Sequence, residues 1–280
     1  MTWGLNSYGQ LGHGDFKARP YGTNVKALSK EFCIEIAAGL CHCLALTEKG
    51  QVYVWGFRQA EEGEPILDRF KNVIDYENKG HHQVTPRLMK TGIAEKIKNI
   101  SCGGYHNLIL SEKGALYSWG DNESGQLGQG VNSDISSNVS SLIPKKIEAL
   151  VGKEILKVAC GESHSIVITK EKGEEELWSW GNSQDGQCGL GDFENKWLPK
   201  KINKIWKEET KGISAGKSHS LFLTKGNQVY GCGETKNGAF GKLQDVGKRV
   251  NVPFLLNIEL NEKEVIDVVA GHNSSAILFK

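Results

Sequence analysis

Apolar positions in this chain fall in short runs of four to six residues, not in stripes with a helical period. CHCLAL from Cys41, HNLIL from His106, HSIVI from His164 and HSLFL from His219 each run into a charged turn such as Glu48-Lys49-Gly50 or Glu112-Lys113-Gly114. After the turn the chain resumes as QVYVWG from Gln51 or ALYSWG from Ala115. Two β-rich runs joined by a short Gly-containing turn predict a hairpin. No segment of comparable length carries the 3.6-residue spacing of an amphipathic helix.

The hairpins recur with fixed punctuation. One signature is an aromatic residue or Cys followed by Gly: Trp3-Gly4, Trp55-Gly56, Trp119-Gly120, Trp180-Gly181 and Cys232-Gly233. Three copies continue alike, as WGLNSYGQLGHG, WGDNESGQLGQG and WGNSQDGQCGLGD, and CGETKNGAFGK is a weaker fourth. The Asn and Gly of this stretch suit a turn leading to the next unit. The other signature is a small-residue stretch ending in Gly-x-x-His: AAGLCH, SCGGYH, ACGESH and SAGKSH, with Ser274 in place of His in VAGHNS. Its glycines, Gly39, Gly103, Gly161, Gly216 and Gly271, stand 64, 58, 55 and 55 residues apart. A period of this size indicates a repeat architecture, with one supersecondary unit per repeat.

Each repeated residue has a packing role to fill. Trp3, Trp55, Trp119 and Trp180 are expected in the core, each indole N–H finding a backbone acceptor. His42, His106, His164 and His219 stand one unit apart, too far to share one ion. They are expected to be partly buried imidazoles bonded to the local backbone.

WG-x-N-x-x-G-Q-L-G-x-G followed by I-x-x-G-x-x-H resembles the repeat of the regulator-of-chromosome-condensation family, over practically the whole chain. The degenerate second copy beside EKGQVYVWG is similar to the secretion-regulating exchange-factor branch of that family. The resemblance implies an all-β fold: a β-propeller of four-stranded antiparallel blades around a central channel, filling residues 1–280 as one domain. Family members usually have seven blades, yet five repeats are countable here and sevenfold division of 280 residues leaves about 40 per blade, below every spacing observed. Joining the C-terminus to the N-terminus puts Cys232 and Trp3 51 residues apart, against 52 from Trp3 to Trp55. The expected architecture is therefore a five-bladed ring closed by both termini, the alternative being part of a seven-bladed ring.

Composition narrows the function. With 34 basic and 33 acidic side chains and a formal charge of +1, the chain lacks the dense positive surface of a DNA-backbone binder. No apolar run approaches the ~20 residues that cross a bilayer, and the N-terminus has no signal-peptide pattern. A cytoplasmic location is expected, with the nucleus as the alternative. The seven cysteines form no C-x-x-C pair and read as small buried hydrophobes in a reducing compartment. There is no phosphate loop, dinucleotide fingerprint or nucleophile elbow. No catalytic residue, cofactor, metal, small-molecule substrate, DNA or membrane insertion is expected.

On a propeller, function sits in the loops and inserts of its faces. Residues 57–91 replace the usual turn with a longer connection carrying Arg58, Glu61, Glu62, Glu64, Asp68, Arg69 and the pair His81-His82, and are read as an insert that meets a partner. Between Gly and His the repeats hold Leu40-Cys41, Gly104-Tyr105, Glu162-Ser163, Lys217-Ser218 and His272-Asn273. The candidate partner-binding set is Arg58, Glu61, Glu62, Arg69, His81, His82, Tyr105, Glu162, Lys217 and His272. The resemblance implies nucleotide exchange on a small GTPase by acidic and histidine residues of this face. Here only Glu162 and His272 suit that chemistry, which counts against inherited exchange. The expected function is thus a non-enzymatic scaffold for a protein partner, acting alone or as a subunit of a large assembly. The alternatives are an exchange factor for, or binder of, a small GTPase and, more remotely, a ubiquitin-ligase substrate arm.

Overall fold

The structure is a computed structural model that describes residues 1–57, 82–130, 141–241, 247–258 and 263–280. Its described regular structure is β-strand apart from single 3₁₀ turns at Lys26–Leu28 and Glu148–Leu150. Four antiparallel four-stranded sheets follow one another along the chain. Sheet I holds β3 (Cys33–Ala38), β4 (His42–Thr47), β5 (Val52–Phe57) and β6 (His82–Leu88). Sheet II holds β7 (Ile97–Cys102), β8 (His106–Ser111), β9 (Leu116–Gly120) and β10 (Ser141–Lys146). Sheet III holds β11 (Glu154–Cys160), β12 (His164–Glu171), β13 (Glu174–Gly181) and β14 (Lys196–Lys201). Sheet IV holds β15 (Thr210–Ala215), β16 (His219–Thr224), β17 (Val229–Glu234) and β18 (Arg249–Leu255). Two strand pairs flank them, β1 (Thr2–Gly4) with β2 (Arg19–Thr23) and β19 (Val265–Ala270) with β20 (Ser275–Phe279).

Each sheet is one repeat: the strand before Gly-x-x-His, the His strand, the Trp-Gly strand and an outer strand. The register is the same in each, with His42 opposite Gly56, His106 opposite Gly120, His164 opposite Gly181 and His219 opposite Gly233. The facing glycine takes positive φ, as at Gly120 (106°), where a Cβ would strike the Tyr105 carbonyl. Only Gly tolerates both that backbone and that approach. The first strands of consecutive sheets lie side by side and line the central channel.

The core lies between the sheets. Leu44 and Leu46 of sheet I pack on Ile97, Ile100 and Ile109 of sheet II; Leu108 and Leu110 of II pack on Ile155 and Val167 of III. Ile166 and Ile168 of III pack on Phe222 of IV, and Leu221 and Leu223 of IV pack on Val265 and Val268 of the last pair. Burying each such side chain contributes roughly 1.5–3 kcal/mol, so the cohesion of the fold runs from sheet to sheet.

The ring expected from the repeat count is not closed. Among the described residues β1 is hydrogen-bonded to β2 and β20 to β19, and no ladder joins β20 to β1. The angle between neighbouring sheets is set by the volume of the side chains between them. Five such steps do not bring the last strand pair to the first, so the molecule is an open arc. Trp3 was expected in the core, but none of the described sheets covers it and 65% of its surface is exposed.

Candidate functional site

The Gly-x-x-His turns of successive sheets converge on one mouth of the channel, around a cavity of about 200 Å³. A chain of backbone hydrogen bonds holds them together: Leu40 N–H donates to the Gly104 carbonyl, Gly104 N–H to Glu162, Glu162 N–H to Gly216 and Lys217 N–H to His272, at 2.9–3.2 Å. The turns are thus one rigid collar, and the side chains between Gly and His are mounted on it.

The repeated histidines set the collar from below. His106 and His164 are fully buried, His42 and His219 nearly so. Their partners are side chains of the next unit and not, as the sequence suggested, the local backbone. His42 Nε2 meets Asn107 Oδ1 at 2.7 Å, His106 meets Ser165 Oγ at 3.0 Å, His164 meets Ser220 Oγ at 2.9 Å and His219 meets Ser275 Oγ at 3.0 Å. The local backbone is unavailable because Gly-x-x-His closes on itself, Gly103 N–H donating to the His106 carbonyl. Ser165 and Ser220 donate their own protons to the Gln126 and Gln187 carbonyls. Their oxygens can therefore only accept from the imidazole, which places the proton of His106 and His164 on Nε2. Burial holds both imidazoles far below the ordinary range, at about 3, and His219 at about 4. These histidines are neutral inter-sheet staples.

The indoles add a second staple. Trp55 Nε1 donates to the Gln10 carbonyl at 2.7 Å and Trp180 Nε1 to the Gln126 carbonyl at 2.8 Å, each in the turn of the preceding unit. Burial raises the Cys43, Cys160 and Cys188 thiols to about 12, which keeps these three protonated and unreactive.

At the exposed level of the mouth, Glu162 and His272 come together, Nε2 to Oε2 3.3 Å, from turns of different sheets. They form an ion pair whenever the imidazole carries a proton. Lys217 stands between them in the collar, half-buried. On the sheet I side, Tyr105 is 43% exposed and its hydroxyl acidity is weakened by partial burial, then by the Cys41 thiol beside it. Its ring meets Phe57 edge-on at 5.8 Å, and Phe57 meets His82 at 5.7 Å. Tyr8 and Phe16, from the turn after β1, close on His82 at 5.3 and 5.9 Å. Five rings thus join the collar to the root of the 57–91 connection.

The expected site residues divide accordingly. Tyr105 and His82 are linked through Phe57, and Glu162, Lys217 and His272 share the mouth. Arg58, Glu61, Glu62, Arg69 and His81 lie outside the described residues. The ends of the 57–91 stretch belong to the sheet, since Phe57 completes β5 and His82–Leu88 is β6. Tyr8, Phe16 and Phe57 were missed by sequence reasoning. The signal was present for Tyr8: an aromatic side chain in the N-x-x-G turn, where the sister turns carry Ser124 and Asp185. Among the described residues no group of three or more His, Cys, Asp or Glu is arranged to hold a metal ion, and no helix is long and apolar enough to cross a membrane.

The whole chain, residues 1–280, matches the RCC1-like domain family. Among curated proteins it is 31% identical to the ultraviolet-B receptor UVR8 of Arabidopsis thaliana over 245 residues, 86% of this chain and 50% of that one. It is 28% identical to the mitochondrial RCC1 domain-containing protein RUG3 of Arabidopsis thaliana, over 86% of this chain and 51% of that one. The chain thus spans about half the length of these relatives. It matches the human E3 ubiquitin-protein ligase HERC2 at 27% identity over 5% of that protein. Among solved structures, human WBSCR16 superposes with a TM-score of 0.78 at 20% identity, over 99% of this chain and 71% of that one. Prp20p of Saccharomyces cerevisiae, described with its binding properties to Gsp1p and histones, superposes with a TM-score of 0.76 at 24% identity, over 96% of this chain and 60% of that one. A β-sheet repeat with these signatures, a collar of Gly-x-x-His turns and a family match from end to end make this chain a member of the RCC1-like domain family.

Proposed function

We propose that this protein is a non-enzymatic interaction platform that receives a protein partner on the collar face, between the aromatic cluster at Tyr105 and the Glu162–His272 pair. The carrying observation is the collar itself: partly exposed aromatic and charged side chains of four different turns, mounted on one hydrogen-bonded frame. Rigid aromatic anchors beside charged groups are what protein interfaces use as hot spots, because little side-chain entropy is lost on binding. The full chain carrying Tyr105→Ala and Lys217→Glu tests it. Partners retained by the wild type should be lost by this variant and kept by Lys200→Glu on an outer strand. Partners bound equally by all three would sink the reading.

Glu162 touching His272 favours a second reading, contact with a small GTPase and exchange of its nucleotide. The expected result under the platform reading is unchanged release of labelled GDP from candidate GTPases. Acceleration that disappears in Glu162→Ala would replace the platform with an exchange factor.

A further inference from the structure

The aromatic cluster beside sheet I has a counterpart beside sheet IV, and the counterpart shows what such a place holds. The turns after β1 and β13 match residue for residue, with Ser7, Tyr8 and Phe16 corresponding to Gln184, Asp185 and Phe193. The outer strands that meet these turns also match: His82 opens β6 as Arg249 opens β18, and Pro86 and Pro253 stand four residues further on.

Beside sheet IV the place is filled from within the chain. The Arg249 guanidinium lies over the Phe193 ring at 4.9 Å and donates to the Gln184 carbonyl at 2.8 Å. Across the ladder it faces Glu234. Beside sheet I an imidazole, His82, replaces the guanidinium, and Phe57 replaces the facing carboxylate. Tyr8 adds a ring where the counterpart has Asp185. The Ser7 carbonyl, equivalent to that of Gln184, accepts no hydrogen bond from the described residues. Among the described residues cations stand over the rings of Trp178, Phe193 and Phe279, none of them in this cluster.

The cluster is also shaped for a cation from outside. Tyr8 and Tyr105 are exposed, and they stand edge-on to Phe57 at 88° and 73°. Crossed rings turn their negative π faces in more than one direction, so one flat cation can contact two of them. Glu162 adds a carboxylate on the Tyr105 side: its Cγ lies 3.0 Å from where a Cβ on Gly104 would sit. A guanidinium suits this set better than an ammonium. It is planar and weakly hydrated, and it stacks on aromatic faces while its edge still donates hydrogen bonds.

We propose that this cluster receives an arginine side chain of the protein partner, its guanidinium lying over the Tyr8, Phe57 and Tyr105 rings as Arg249 lies over Phe193. The inference rests on the platform reading and adds to it the chemistry that the aromatic side of the collar selects. Ring faces supply the attraction, so the tyrosine hydroxyls are dispensable and the charge of the incoming side chain is not.

Nuclear magnetic resonance of the full chain with isotope-labelled Tyr and Phe rings tests this, without any partner in hand. The probes are a blocked glycine–arginine–glycine tripeptide and its citrulline twin, which has nearly the same shape and no charge, at constant ionic strength. The arginine probe should shift the Tyr8, Phe57 and Tyr105 ring signals, and the citrulline probe should bind about fivefold more weakly. Tyr8→Phe should keep the arginine response and Tyr8→Leu should lose it; Tyr8 is exposed, so both variants should retain the wild-type circular dichroism. Rings that ignore the arginine probe overturn the proposal. So do equal responses to the two probes, or an undiminished response in Tyr8→Leu. Any of these would leave the platform reading standing, because that reading falls only if the Tyr105→Ala, Lys217→Glu chain keeps its partners.

Discussion

The interior junctions of the arc and its two flanks are built from the same repeat and behave oppositely. Between sheets III and IV, His164 reaches Ser220, Ser220 reaches the Gln187 carbonyl and the layer of Ile166, Ile168 and Phe222 is sealed. At the flanks the same positions hold Trp3 and Leu278, largely exposed. The difference is not in residue type, since Trp and Leu are as apolar at the ends as inside. It shows that a residue in this repeat owes its burial to the neighbouring unit and not to its own sheet, as expected where each unit contacts only its neighbours.

Acid should break the interior junctions hardest. The unfolded imidazoles titrate near 6.5 while folded His106 and His164 titrate at about 3 and His219 at about 4. The folded state thus binds fewer protons below 6.5, and stability that is complete above that pH drains away as pH falls toward the folded values. Each such histidine removes about 1.4 kcal/mol per pH unit in this window. Circular dichroism at successive pH values should show cooperative loss of β-structure between about pH 5 and 4. Unchanged stability at pH 4 would contradict the staple assignment.

Truncating one indole sharpens the contrast. Trp180→Ala should cost about 4 kcal/mol in chemical denaturation, from the lost packing and the lost indole hydrogen bond to the Gln126 carbonyl. Trp3→Ala, assayed in dilute solution, should cost under about 0.5 kcal/mol. A comparable loss at both would mean that Trp3 is covered in the single molecule.

A single methyl group discriminates on a finer scale. At Gly161 a Cβ would collide with the His164 ring and come within 2.5 Å of the Gly216 carbonyl, whereas at Gly271 it meets Ser274 Oγ at 3.0 Å. Gly161→Ala should therefore destabilise by about 3 kcal/mol and Gly271→Ala by under about 1 kcal/mol. Equal thermal shifts would count against the collar as the rigid part. Smallest of all, Glu162→Gln should leave folding stability within about 0.5 kcal/mol, since the His272 contact is half in solvent. Its effect should be confined to partner retention.

Much of this was legible in the chain. An apolar run of four to six residues, a Gly-containing turn and a Trp-Gly end specify a hairpin because each is a local demand on the backbone. The recurrence of Gly-x-x-His four times, with Gly-x-x-Ser as a fifth copy, specifies the sheet unit for the same reason. The acceptor of each histidine was not legible: Asn107, Ser165, Ser220 and Ser275 lie 56 to 65 residues away, in a position that only stacking brings near. The aromatic cluster was hidden likewise, since Tyr8, Phe57 and Tyr105 belong to three different units.

By itself the sequence determined the repeat, its strands and the family, because these follow from short apolar runs, from the turns that join them and from glycines at backbone positions no other residue can hold. Tertiary structure decided which histidine meets which serine, which charged turns share the mouth and whether the ends meet. Those outcomes depend on the angle each packed layer imposes, a small quantity per layer that only the sum over all layers turns into an open or a closed arc.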